Sequence, residues 1–267
     1  MMTENYRFVE QVRSAPPSWA NDEILRWDDS SFRRERDFIP RHYWTTQGSI
    51  NVFRIIGTDH PQYAGMSWLE LLDRGKRMDI NIPLLEKNPG YYTDPGHKRS
   101  SMNFNSFDGI NWFIGSDGNH RSCLARFYFH VNGLGMTQLH DVTMNHYDID
   151  HLYYEACREI QQLIDVMAQQ GIYLTLEVRN QVVHRDDTPG WKLDHFQIEA
   201  QLHQNGEHDF PELDAVSYMQ NAQDARTCLS VLKQRYEQCQ SSQQIKAGST
   251  GTSWMRWLRL GKSHERK

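Results

Sequence analysis

The sequence predicts an α/β (α+β) protein, a mixed sheet with packed helices. Three observations carry that expectation. The run Ile110-Asn111-Trp112-Phe113-Ile114-Gly115 reads as a buried strand that passes through a glycine-containing turn directly into a helical stretch. Leu152, Ala156, Ile160, Leu163, Ile164 and Met167 recur at helical spacing over 151–170. Two alternating stretches, 173–184 and 191–203, flank Arg185-Asp186-Asp187-Thr188-Pro189-Gly190 in the manner of an antiparallel hairpin.

Taken in order, residues 1–48 are aromatic-rich, with charge clusters at Asp28-Asp29 and Arg33-Arg34-Glu35-Arg36. Pro16-Pro17 interrupts any long helix there, so the segment reads as an N-terminal extension of short helices and loops. Ile50 to Ile56 alternates enough to be a strand. Ser67 is a good N-cap, and Glu70 stands three residues on, the capping-box spacing, with Gly75 at the far end of the helix. Ile80, Ile82, Leu84 and Leu85 read as a short strand, and 86–108, rich in Asn, Pro, Gly, Tyr and Ser, as a long loop. Loops of that length in a compact domain are usually functional or mobile. Helix is expected from Ser122 to Val131, strand from Val142 to Ile149, and helix from His151 to Gln170 with Gly171 as its C-cap. A final helix is expected from Asp214 to Cys239. From Ser241 the composition shifts to Ser, Gln, Gly and Thr and reads as a linker, ending in a basic aromatic stretch around Trp254, Arg256, Trp257 and Arg259. The expected organisation is therefore an extension (1–48), one elaborated domain (49–240) and a flexible basic tail (241–267).

Bulk properties narrow the function classes. The 267 residues carry a formal net charge of -5, which argues against a dedicated DNA-binding domain but leaves room for a local basic groove. Cys123, Cys157, Cys228 and Cys239 form no CxxC pair and suggest reduced thiols rather than a zinc ribbon or disulfide framework. The start lacks the pattern of a secretion signal, and no window approaches the roughly 18 apolar residues of a membrane span. A cytoplasmic protein is expected.

The chemistry concentrates in Asp117-Gly118-Asn119-His120-Arg121-Ser122. A strand entering a helix through such a turn points several backbone N–H groups at one spot, where the helix dipole adds positive potential. Gly118 lets the backbone approach closely or take positive φ. Arg121 can pair with phosphate oxygens in bidentate fashion, Ser122 can cap the helix, and His120 can exchange a proton near neutral pH. The plainer alternative is a solvated turn in which Arg121 pairs with a nearby carboxylate.

Gly118-Asn119-His120-Arg121-Ser122-Cys123-Leu124-Ala125 resembles the Gly-x-(Arg/His)-Arg-x-x-x-Ala box of the ParB/sulfiredoxin superfamily. The upstream order is similar too: a helix from Ser67, a glycine, Ile82-Pro83-Leu84-Leu85, then the strand that enters the box. The similarity covers about residues 50–150, and within it only the box is specific. It implies a ParB/sulfiredoxin-like fold in which Gly118, Asn119, His120, Arg121 and Ser122 bind the phosphates of a nucleotide or nucleic acid. Two departures matter. Asn119 stands where sulfiredoxin-like members carry a reactive cysteine, so sulfinic acid reduction is not expected. No helix-turn-helix follows the box, which speaks against centromere binding. The resemblance then implies an NTPase or nuclease-type phosphohydrolase, of the kind encoded on mobile elements such as plasmids, with His120 and Asp117 assisting proton transfer. Asp117 is also the candidate ligand for Mg²⁺, which takes one or two carboxylates beside phosphate oxygens. The alternative is a non-enzymatic regulator or inhibitor, for example of plasmid transfer, that uses the box only to bind ligand.

Other candidates have simpler explanations. His130, His140, His146 and His151 lie close in sequence but lack metal-binding spacing. Asp108 suits an Asp-Gly turn, and Asp150 suits the N-cap of the following helix. His97-Lys98-Arg99-Ser100 is either a solvated basic tip or a segment that closes over a nucleotide. The basic aromatic tail reads as a protein-docking peptide or an unstructured end.

Overall fold

The computed structural model describes residues 6–99, 101–133, 135–204 and 213–260, with side chains described as far as 241. Ser100 and the aromatic and basic side chains of the tail lie outside the described residues. The protein is α/β, with eight α-helices and nine strands in mixed orientation among the described residues. Two compact units divide the chain: residues 1–150 with 181–197, and residues 151–180 with 198–267.

In the first unit the chain runs through α1 (Arg7–Ser14), β1 (Leu25–Arg26), α2 (Asp29–Glu35), β2 (Arg41–Asn51), β3 (Ile55–Thr58) and α3 (Trp68–Arg74). It continues through α4 (Met78–Lys87), α5 (Gly90–Thr93), β4 (Asn103–Ser106), β5 (Trp112–Ile114), α6 (Asn119–Val131) and β6 (Gln138–Asp148). The strand order is β1-β3-β5-β4-β6-β2. β1, β3 and β5 are parallel, while β4 is antiparallel to β5 and parallel to β6. β2 lies antiparallel to β6, from Arg41 opposite Asp148 to Asn51 opposite Gln138. On its other edge β2 pairs antiparallel with β8 (Lys192–Gln204), Arg41 opposite His195 and Trp44 opposite Lys192.

One core unites these elements. α1 gives it Phe8, Val9 and Val12, α3 gives Trp68, Leu71 and Leu72, and α6 gives Leu124, Phe127 and Phe129 against Ile55, Phe104, Ile114 and Met144 of the strands. Residues 1–48, expected as an extension, are therefore part of the first unit, because α1 is a core helix and β2 starts at Arg41. The strand expected over 50–56 is interrupted by a 3-10 turn at Val52–Arg54, where the Asn51 side chain accepts from the Phe53 N–H at 3.0 Å. Arg126 of α6 is also buried. It donates to the Ile55 carbonyl and stands between the rings of Trp19 and Trp68, 4.6 and 4.2 Å from their centroids. Burial lowers its pKa to about 10, so it keeps its charge.

The capping box at Ser67 and Glu70 forms as the spacing suggests. The strand expected at 80–85 does not: those residues are α4. Met78, Ile82 and Leu85, four and three residues apart, are buried on one face, whereas Ile80 and Leu84 are more than half exposed. Pro83 sits inside this helix and cannot donate to the Asp79 carbonyl one turn earlier. The Tyr6 hydroxyl stands 3.5 Å from that carbonyl and can donate in its place. The expected loop over 86–108 contains α5 and β4.

The second unit contains α7 (His151–Ala168), the start of β7 (Leu174–Asp187), the end of β8, β9 (Val216–Met219) and α8 (Ala222–Leu260). Gly171, at φ +79°, follows the last turn of α7. β9 pairs antiparallel with β8, and the buried Tyr153 hydroxyl donates to the Met219 carbonyl while accepting from the Ala200 N–H at 3.0 Å. α8 continues past Ser241, where a linker was expected. No proline follows Pro211, so no residue there lacks the N–H that helix propagation requires. No helix among the described residues is long and apolar enough to cross a membrane.

Candidate functional site

β5 ends at Ile114, and the chain reaches α6 through a turn that closes on Gly118. Its φ of +123° belongs to a region that side-chain-bearing residues rarely adopt. A Cβ there would stand 3.4 Å from Met102 Cε and 3.5 Å from Ile114 Cγ2. The turn thus needs glycine chiefly for its dihedral. The Ser122 N–H makes the first helical bond, to the Gly118 carbonyl at 2.8 Å, so the N–H groups before it form the positive end of a 13-residue helix.

The residues of the box divide by helical face. Asn119, Ser122, Cys123 and Arg126 share the buried side of α6. The Asn119 side-chain oxygen accepts from Thr58 Oγ1 at 2.7 Å, which ties the start of α6 to the end of β3. The Ser122 hydroxyl is fully buried and has no hydrogen-bond partner among the described residues. Asn119 can therefore serve a ligand only through its backbone N–H, and Ser122, whose N–H bonds to the Gly118 carbonyl, offers neither backbone donor nor accessible hydroxyl. Cys123 is buried against the Trp68 carbonyl, and burial pushes its thiol pKa up, in keeping with an unreactive cysteine.

Asp117, Gly118, His120 and Arg121 line a cleft of about 410 Å³ whose opposite wall is α4. Arg121 donates to the Tyr91 hydroxyl at 2.9 Å, to Ser101 Oγ at 3.1 Å and to the Asp117 carboxylate. Burial alone would lower its pKa, but Tyr91 and Asp117 outweigh that and raise it, so the guanidinium stays charged. His120 is more constrained. Its Nε2 accepts from the Arg77 N–H at 3.3 Å and lies 3.1 Å from the Tyr63 hydroxyl. A backbone N–H can only donate, so Nε2 is unprotonated and the neutral ring carries its proton on Nδ1. Burial, then the charges of Arg77 and His60, lower the pKa of His120.

The rest of the cleft comes from residues not expected to form a site. α4 contributes Arg77, at its N-cap, with Asn81, Leu84, Leu85 and Asn88, and α5 contributes Tyr91 and Tyr92. Helical spacing of 77, 81, 84, 85 and 88 was the available signal, and reading 80–85 as a strand hid it.

Arg99 shapes this wall from behind. It is 1% exposed, and its five N–H groups go to four carbonyls, those of Tyr91, Asp94, His97 and His140. The loop that held a possible basic lid is thus folded around Arg99, whose charge points inward. Lys98 remains exposed. Asp108 accepts from the N–H groups of Ile110 and Asn111 at 2.8 and 2.7 Å, the side-chain turn expected of it.

Among the described residues Asp117 is the one carboxylate lining the cleft, and Arg121 engages its Oδ2. Among the described residues no three or more His, Cys, Asp or Glu side chains are grouped to hold a metal ion. His140 is bonded to Ser49 Oγ at 2.8 Å, and His146 stacks on Tyr43.

No protein-family model, curated protein or solved structure matches the chain.

Proposed function

We propose that the cleft between α4 and the N-terminus of α6 binds a phosphate-bearing small molecule, and that the protein works by capture of that ligand rather than by its hydrolysis. One observation carries the reading: Arg77, Arg121 and the first turn of α6 border the same cleft. Two guanidinium groups beside a helix N-terminus favour an anion, and a guanidinium matches phosphate geometry. The resemblance of residues 118–125 to the ParB/sulfiredoxin box points the same way, and the proposed family relation is to that superfamily.

Of the two groups expected to assist proton transfer, His120 is committed, since its Nε2 accepts from the Arg77 N–H. Arg121 engages only Oδ2 of the Asp117 carboxylate. The commitment of His120 favours a regulator or interaction protein that senses a nucleotide.

The test is calorimetric titration of nucleotides into the protein and Arg121→Ala, with phosphate release followed in the same samples. Loss of bonds to a charged group worth about 1.5–3 kcal/mol weakens binding roughly 10- to 150-fold. Equal affinity in Arg121→Ala would refute the site. Phosphate release that needs Arg121 would replace capture with hydrolysis.

A further inference from the structure

Resting on that reading, we infer that the ligand is a phosphomonoester with a neutral, hydrogen-bonding organic head, the chemistry of a nucleoside monophosphate, and not a polyphosphate. The charge balance of the cleft argues for a single phosphate. Of its two arginines, Arg121 is already offset by Asp117, which leaves the charge of Arg77 and the positive end of α6 as the surplus. A helix N-terminus supplies about half a charge, so the surplus approaches the charge of about -1.5 to -2 of one phosphomonoester. A triphosphate would bring several charges that nothing in the cleft neutralises.

The other wall argues for the organic head. Arg77, Asn81, Leu84 and Asn88 form one stripe of α4, spanning about 16 Å at 1.5 Å per residue. The cationic end is fixed beside α6 by the contact of the Arg77 N–H with His120. Along the stripe the surface runs from charged at Arg77 through the Asn81 amide and apolar Leu84 to the amide of Asn88. Leu84 is 56% exposed at the cleft, an apolar surface that a planar or aliphatic body would cover. The Asn81 amide is partly committed, donating to the Arg77 carbonyl at 2.6 Å, which leaves its oxygen as an acceptor. The Asn88 carboxamide has no hydrogen-bond partner among the described residues and offers both a donor and an acceptor. Such a carboxamide matches the paired donor and acceptor edge of a nucleobase. Phosphate at Arg77 and Arg121 with the head at Leu84 and Asn88 uses the whole cleft.

The experiment titrates inorganic phosphate, the nucleoside 5′-monophosphates and the matching triphosphates into the full chain and into Asn88→Ala, without added metal. Asn88 is exposed, and matching circular dichroism spectra and thermal midpoints establish that the variant is folded. The expected result is one monophosphate binding at least tenfold tighter than inorganic phosphate and than its own triphosphate. Asn88→Ala should lose at least fivefold for that monophosphate and leave inorganic phosphate unchanged. A triphosphate that binds as well as the monophosphate, a monophosphate no better than inorganic phosphate, or an Asn88→Ala variant with unaltered affinity overturns this inference and leaves phosphate capture standing. Absence of binding by every phosphate overturns both.

Discussion

Replacing Arg99 with methionine tests how the wall of the cleft is held. The substitution keeps the length and the apolar stem of the side chain and removes five donors. Four carbonyls lose their partner: Tyr91, Asp94, His97 and His140. Asp94 lies in an exposed stretch, so water can replace the guanidinium there. The Tyr91, His97 and His140 carbonyls belong to half-buried residues, and each group left unsatisfied costs about 1–3 kcal/mol. The expected loss is therefore about 3–9 kcal/mol, a large share of the roughly 5–15 kcal/mol that holds a typical domain. Urea unfolding of wild type, Arg99→Met and Arg99→Lys measures it, and Lys should recover only part because its three donors lack the planar fork. Amide exchange should rise first over residues 91–99, and phosphate binding should fall with it, since Tyr91 holds Arg121. An Arg99→Met protein within about 0.5 kcal/mol of wild type, a change expected of a neutral surface site, would refute the reasoning.

Two further outcomes follow from the turn itself. Gly118→Ala should cost about 1–3 kcal/mol in urea unfolding, because its Cβ finds contacts no closer than 3.4 Å and the penalty is the dihedral; an unchanged midpoint would mean the turn relaxes freely. His120 has a folded-state pKa below its ordinary 6.5, so its contribution to stability is complete above that value and is lost as pH falls below it toward the folded pKa. Thermal midpoints between pH 5 and 7.5 should therefore fall with acid less steeply in His120→Asn than in wild type, and parallel curves would show that the imidazole is not held neutral.

The strand-turn-helix of the site was legible because each part signals locally. Trp112 to Ile114, the part of the expected strand 110–115 that forms, is apolar, Gly118 is the permissive residue, and the helix follows at once. The same holds for Ser67 and Glu70, whose capping box involves neighbours three residues apart. α4 was not legible, because Ile80, Ile82 and Leu84 alternate like a strand while Met78, Ile82 and Leu85 repeat like a helix. Only packing against the rest of the core selects the second pattern. β1 and β9 have two and four residues, too few for any periodicity. Within the box, the roles of Asn119 and Ser122 changed for a geometric reason: they share with Cys123 and Arg126 the face of α6 that turns to the core. The chemistry of a side chain was readable, but its direction depended on which face of the helix the sheet required.

The pairing of β2 with β6 also orders events in time. Arg41 and Asp148 are joined by a hydrogen bond across 107 residues of chain, and Trp44 reaches Asp194 across 150. At a synthesis rate of about 5–20 residues per second, β2 leaves the ribosome roughly 5–20 seconds before its partner. Throughout that interval the strand has neither edge covered, and β4, which lies on the other side of β6, also waits for it. Completion of the sheet beside the cleft is thus a late step in the birth of the molecule.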